Sequence, residues 1–232
     1  MESISKHYIV RKLKWDIHGV FEDIKILKEH LEADKLKIPT SNIKELRKVG
    51  RWAALLNVIL NKMDYIENIL VPKLEKTFQY QFESTELVKL IFFRPSVKSL
   101  FNELKMYFDQ AESEKVLDFE TLSNLGEVAE VMALIGDSAL GLAAAQLFWE
   151  PKIARIGNIS ERRAGLVSNE NLAKACDRLS LYEYRIHNEP EVPEVKEETI
   201  QHVKGTLMEA LYGIIYTEKG IDAVFDALIA IK

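Results

Sequence analysis

Cysteine, glycine and proline are all scarce in this chain, and each scarcity removes a class of protein. Cys176 is the sole cysteine, so neither an intramolecular disulfide nor a zinc ribbon can be built; the expected setting is a reducing compartment, the cytoplasm. Of ten glycines, eight stand at or after Gly126, and there are six prolines. The first half therefore has few turn signals and predicts long helices. The opening residues, MESISKHYIV, lack the basic region and apolar run of a secretory signal, and no targeting motif follows. Long uncharged runs are also rare. Val131 to Trp149 holds one charge in nineteen residues, close to the length of a membrane span. Asp137 and Gln146 interrupt it, and a carboxylate at mid-bilayer is expensive, so the expectation is no membrane but a helix buried in the centre of a soluble protein or at a dimer interface.

What is present points to an all-α protein. At 232 residues with 47% hydrophobic content the chain has room for one or two domains with a sizeable core. Net charge is −5, which by itself argues mildly against a nucleic-acid partner. Its distribution says more. Residues 1 to 77 hold 15 Lys+Arg against 11 Asp+Glu, a balance of +4, and residues 78 to 232 hold 16 against 25, a balance of −9. An electrostatic contact with a polyanion would come mainly from the N-terminal part, although an ordinary solvated surface shows asymmetry of this size too.

From Ser5 to Leu36 apolar residues recur at helical spacing (Ile9, Leu13, Ile17, Val20, Phe21, Ile24, Leu27, Leu31) and stop before Pro39. Asn42 with Glu45 three residues later resembles a capping box, and the helical period then runs from Leu46 to Leu70, up to Pro72. The two segments predict a long antiparallel hairpin. Residues 78 to 82 are the expected boundary, giving a mildly basic hairpin over 1–78 and a second domain over 79–232. Within the latter, helices are expected over 84–92, 95–111, 118–150, 159–164, 169–179 and 196–217, with a last one from Ile221.

Three segments, in order, carry a family resemblance. Glu130 to Leu140 (EVMALIGDSAL) is similar to a signature that reads E-x-L-E-F-L-G-D-S. Ser160 to Leu181 (SERRAGLVSNENLAKACDRLSL) follows the pattern S-x-x-R-x-x-L-V-S-N-x-x-L-A-x-x-A-x-x-L-x-L almost position for position. Lys204 to Tyr216 (KGTLMEALYGIIY) is similar to A-D-x-x-E-A-L-I-G-A-I-Y. Together these resemble the ribonuclease III endonuclease domain, and Phe92 to Ser96 (FFRPS) resembles the ALTHxS segment that precedes the signature. The resemblance implies an all-helical domain, RNase III-like, that dimerises and cuts double-stranded RNA. Residues 1 to 78 lie outside it. Because about fifteen residues follow the third motif, the separate double-stranded-RNA-binding domain of many relatives is expected to be absent.

The resemblance also implies a metal site of four carboxylates, and here the chain departs from the pattern. Asp137 and Glu209 stand at two of the four positions, Ala133 and Thr206 at the others. Asp137 and Glu209 are thus the expected catalytic and metal-ligating pair, holding Mg²⁺ or Mn²⁺, while no organic cofactor is expected. Glu130 matches a signature position that does not usually bind metal. On a helix it shares a face with Asp137, about 10 Å away along the axis, and reads as a structural or interface carboxylate. Two readings remain open. A metal-dependent endoribonuclease for double-stranded or structured RNA, acting in RNA processing as a homodimer, is one, because the Mini-III subgroup also has Ala and Thr at these places and Mg²⁺ needs only one or two carboxylates. A catalytically inactive RNA- or protein-binding module on the same fold is the other.

Further residues have narrower readings. Arg162 and Arg163 beside the middle motif could meet RNA phosphate or cap a carboxylate. Ser138, with no nearby His in its motif, reads as a helix-packing hydroxyl. His7, His18, His30, His187 and His202 show no metal-ligand spacing. Trp15, Trp52 and Trp149 read as core or interface anchors before RNA-stacking platforms. Asn188 to Glu198 (NEPEVPEVKEE), with five Glu and one Lys, would repel a phosphate backbone if it lay near the site, and is otherwise a solvated linker.

Overall fold

The computed structural model describes residues 19–110, 117–149, 155–188 and 196–231. Among them the protein is all helical, with no strand and a single isolated bridge between Phe93 and Ile186. Trp15, His7, His18 and the start of the first expected helix lie outside the described residues, as do residues 189–195 of the acidic segment.

Helix α1 (Val20–Lys37) buries Phe21, Ile24, Leu27 and Leu31 against α2 (Ile43–Tyr65). Asn42 caps α2 by accepting from Glu45 N, as the capping-box spacing predicts. The chain does not stop at Pro72 as expected. A π turn over Ile66–Leu70 leads directly into α3 (Val71–Phe78), with Pro72 in its first turn. In an unbroken α-helix the proline ring would meet the carbonyl four residues back; the widened turn relieves that contact. Gln79, at φ 52°, then ends the helix.

The remaining elements follow the periodicity closely: α4 (Thr85–Leu90), α5 (Val97–Gln110), α6 (Phe119–Leu147), α7 (Ile156–Leu166), α8 (Asn169–Leu179), α9 (Glu197–Lys219) and α10 (Ile221–Ile231). Side-chain caps mark three starts: Ser84 accepts from Leu87 N, Asp118 from Thr121 N and Ser168 from Asn171 N. Helices α6 and α9 form the centre, with α5 and α10 on α6 and α8 on α9. By length and composition α6 could cross a membrane. Here one flank of it packs into the bundle, and Asp137 sits near the middle of the helix.

Buried side chains of the hairpin and of residues 79–228 form one contiguous cluster. Polar ties cross the change of pattern at residue 78. The buried carboxylate of Glu218 accepts from Tyr80 Oη (2.7 Å), Glu83 N (3.0 Å) and Ser84 N (3.0 Å), holding the turn after α3 to the end of α9. Lys62 Nζ donates to the Arg185 carbonyl at 2.6 Å and Lys73 Nζ to that of Leu179 at 3.0 Å. Trp52 is fully buried, its Nε1 donating to Glu103, so it is the core anchor the sequence suggests. Trp149 is 61% exposed, so of its core and interface readings the core one is excluded.

Tyr212, in the third motif, is wholly buried edge-on to Phe78, and its hydroxyl has no protein hydrogen-bond partner among the described residues. Burial holds its phenol well above the usual range. An unpaired buried hydroxyl costs about 1–3 kcal/mol. Tyr212→Phe is therefore expected to raise the thermal midpoint by a few degrees, and a lower midpoint in far-UV circular dichroism would contradict this reading.

Candidate active site

The site begins with two glycines. A Cβ on Gly136 would lie 1.7 Å from the Glu209 carbonyl oxygen, and one on Gly213 would lie 2.1 Å from that of Met132. Helices α6 and α9 therefore cross with their backbones in contact, which only residues without a Cβ allow. Asp137 follows Gly136, and Glu209 is the residue its backbone touches. The close crossing sets side by side the backbones that carry the two expected carboxylates, seventy-two positions apart in sequence.

Their electrostatics follow from that placement. Burial, then the charges of Asp137 and Glu130, push the Glu209 carboxyl up to about 7. Asp137 is exposed on α6. Glu130 is held by Arg94, whose Nη2 lies 3.2 Å from its Oε1. The FFRPS segment positions this arginine. Ile186 N donates to Phe92 O and Arg94 N to Ile186 O, and α6 comes so close that a Cβ on Gly126 would meet the Pro95 nitrogen at 2.5 Å. The distance along one helix makes Glu130 look remote from Asp137; the crossing of α9 lets Glu209 sense both. The glycines of ALIGD and ALYG were the sequence signal for this.

The two departed positions are packed rather than open. Ala133 is 4% exposed, and Thr206 is 5% exposed with its Oγ1 donating to the His202 carbonyl at 3.0 Å. An ionised carboxylate at either place would lose most of its hydration. Among the described residues no three His, Cys, Asp or Glu side chains form a group able to hold a metal ion. The donor set is the Asp137–Glu209 pair, with Glu130 near. It fits a hard divalent cation: oxygen ligands only, and mutual repulsion that a cation would relieve.

Of the other residues singled out in the sequence that lie outside α6, only Arg163 is placed next to the Asp137 stretch of that helix. Arg162 packs its guanidinium 4.3 Å from the Phe148 ring centroid. Arg163 Nη1 lies 3.3 Å from where a Cβ on Gly141 would be, one helical turn beyond Asp137. Ser138 Oγ donates to Leu134 O at 3.0 Å, the intrahelical bond of a packing hydroxyl. His30 lies against Phe108, and His187 lines a groove of about 180 Å³ between α2 and α5.

The raised Glu209 carboxyl has a pH signature. Between the ordinary glutamate value of 4.5 and about 7, the folded state keeps a proton that the unfolded state has released. Stability from this group is thus full below 4.5 and is lost as pH rises through 7. In divalent-free buffer the thermal midpoint should fall over this interval, and Glu209→Gln should flatten that part of the profile. An unchanged profile in the variant would refute the assignment.

The fold and site thus define a class: an all-helical bundle carrying a carboxylate pair where its two central helices cross. Over residues 130–220 the chain matches the Ribonuclease III domain family model. Ribonuclease 3 of Rhizobium meliloti (strain 1021) is 34% identical over 93 residues, covering 40% of this chain and 39% of that protein. Ribonuclease 3 of Sinorhizobium fredii is 33% identical over 93 residues, 40% and 38% of the two chains, and that of Brucella canis is 29% identical over 96 residues, again 40% and 38%. The chain thus spans about two-fifths of the length of these curated relatives. No solved structure matches. The resemblance drawn from the three motifs holds over the segment that contains both carboxylates, and the hairpin and FFRPS lie outside it.

Proposed function

We propose that this protein is a cytoplasmic, metal-dependent endoribonuclease that cuts double-stranded or structured RNA in RNA processing. The observation that carries it is the contact of Gly136 with Glu209, which joins Asp137 and Glu209 within the segment similar to ribonuclease III. Asp137 and Glu209 would hold Mg²⁺ or Mn²⁺. Such an ion, when bound, supplies an activated water and offsets charge developing on the phosphate oxygens. The chain's own residues set the geometry: the crossing fixes the two carboxylates, and Arg94 holds Glu130 beside them. In this reading residues 1–78 are an accessory hairpin and residues 79–232 the catalytic domain. Incubation of a long RNA duplex with excess protein and Mg²⁺ or Mn²⁺ tests the activity; an intact duplex would sink it.

Two duplex strands call for two sites, and α6 offers a surface for a second copy. Val131, Leu134 and Leu142 are exposed along one flank, Leu134 to 67%, with the exposed Trp149 just past the helix end. The spacing of three and eight residues keeps the first three in line, and none of the four is charged. A two-fold axis across this stripe would bury it against itself. Since each substitution occurs twice in a symmetric dimer and a buried leucine contributes about 1.5–3 kcal/mol, Leu134→Glu should weaken dimerisation by at least about 100-fold. Sedimentation equilibrium measures this, and a parent protein that is already monomeric at micromolar concentration would remove the paired arrangement.

The burial of Ala133 and Thr206, and the absence of a larger ligand cluster among the described residues, favour the second reading, a non-catalytic RNA- or protein-binding module. Retained RNA binding without cleavage would select it.

A further inference from the structure

The hairpin carries a charged surface that the catalytic reading does not use. Lys44, Arg47, Lys48 and Arg51 follow one another at helical spacing on α2 and are all exposed. They share one flank, opposite the buried Val49, Trp52, Ala53 and Leu56. Lys35 of α1 is exposed too, and its Nζ lies 3.8 Å from where a Cβ on Gly50 would stand, so α1 adds a cation beside this stretch of α2. Arg51 is paired with Glu103 at 2.6 Å. Among the described residues Lys35, Lys44, Arg47 and Lys48 form no ion pair, and Lys48 lies over the Trp52 ring. The stripe stands on a rigid base: Trp52 is buried and donates to Glu103, and its ring meets Tyr107 edge-on.

We infer that this flank of α2, with Lys35, is a docking surface for the phosphate backbone of double-stranded RNA. Charge complementarity selects the occupant. Residues 78 to 232 carry 16 Lys+Arg against 25 Asp+Glu and as a whole repel a polyanion. The hairpin's cations supply the opposing attraction. Side chains at i, i+3, i+4 and i+7 lie about 5–6 Å apart, a row suited to successive phosphates and blind to base sequence. Arg51 on Glu103 and Trp52 on Tyr107 set the stripe beside the later part of α5, on a helix other than the two that carry Asp137 and Glu209.

The inference rests on the RNA reading above but is tested by binding alone. A labelled blunt RNA duplex, longer than the roughly 16 base pairs that one double-stranded-RNA module covers, is titrated with the full chain in EDTA across a salt series. The triple variant Lys44→Gln, Arg47→Gln, Lys48→Gln should bind on the order of 10²-fold more weakly at 0.1 M salt. The slope of log affinity against log salt should become shallower by about 2.7, at about 0.9 per lost phosphate contact. Lys44→Arg, Arg47→Lys, Lys48→Arg should keep both, which separates charge from fold. The inference is overturned if the parent binds no duplex, or if the Gln variant matches it in affinity and slope; the stripe would then serve an acidic protein partner. A parent that binds with steep salt dependence but never cleaves would fail the enzyme reading and leave this one standing.

Discussion

Asp137→Asn and Glu209→Gln are each expected to lower cleavage of duplex RNA in Mg²⁺ by at least about 100-fold, while leaving the fold intact. The size follows from what a metal ion contributes: several kcal/mol of charge stabilisation, at 1.36 kcal/mol per tenfold in rate. With two of the four carboxylates that the resemblance implies replaced by Ala133 and Thr206, this reading relies on Asp137 and Glu209 as the ligands. The stability effect should run the other way. Glu209 is pushed up to about 7 by burial and by the charges of Asp137 and Glu130; removing the Asp137 charge relieves part of that. In divalent-free buffer at neutral pH, Asp137→Asn should therefore melt no lower than the parent. Lost cleavage with a retained or raised midpoint identifies a site whose charges oppose folding, as active sites often do. Asp137→Asn cutting as fast as the parent would end the enzyme reading.

Gly136→Ala is expected to be the most damaging small substitution in the bundle. Its Cβ would fall 1.7 Å from the Glu209 carbonyl oxygen, 2.6 Å from the carbonyl carbon and 2.7 Å from Gly213 N. All three are backbone atoms that no rotamer change can move, so α6 and α9 must separate along their whole contact. Overpacking of a core costs about 1–3 kcal/mol and more where the surroundings cannot yield. At about 3 kcal/mol or more, and about 2–4 °C per kcal/mol for a domain of this size, the midpoint should drop by on the order of 10 °C. Cleavage should fall with it, because the same contact sets the spacing of Asp137 and Glu209. Gly141→Ala is the matched control on the same helix. The Cβ there meets only the end of the Arg163 side chain at 3.3 Å, and alanine gains up to about 1 kcal/mol of helix propensity over glycine. If the two variants melt alike, the crossing is not under backbone contact.

Much of the fold was legible because helices announce themselves locally. The starts at Asn42, Ser84, Asp118 and Ser168 each carry a side chain that caps its own helix, and the apolar period names the buried face. Where the reading failed, a non-local or compensating feature intervened. Pro72 signals an end, but the π turn before it absorbs the steric conflict. For Trp149 the sequence leaves core and interface open, and only the packing shows that it is exposed just past α6 rather than in the core.

For the site, the sequence by itself determined the chemistry available: Asp137 and Glu209 within three ordered motifs, Ala133 and Thr206 in place of two carboxylates, and a basic hairpin ahead of an acidic remainder. Spacing along a helix cannot say which residues of two helices meet. The tertiary structure decided that, through the approach of Gly136 and Gly213 that sets Glu209 beside Asp137 and within the field of Glu130. It also decided that Ala133 and Thr206 are buried and that one flank of α6 is bare. The reason is physical: electrostatic coupling and desolvation depend on distances through space, which only the packing of α6 on α9 fixes.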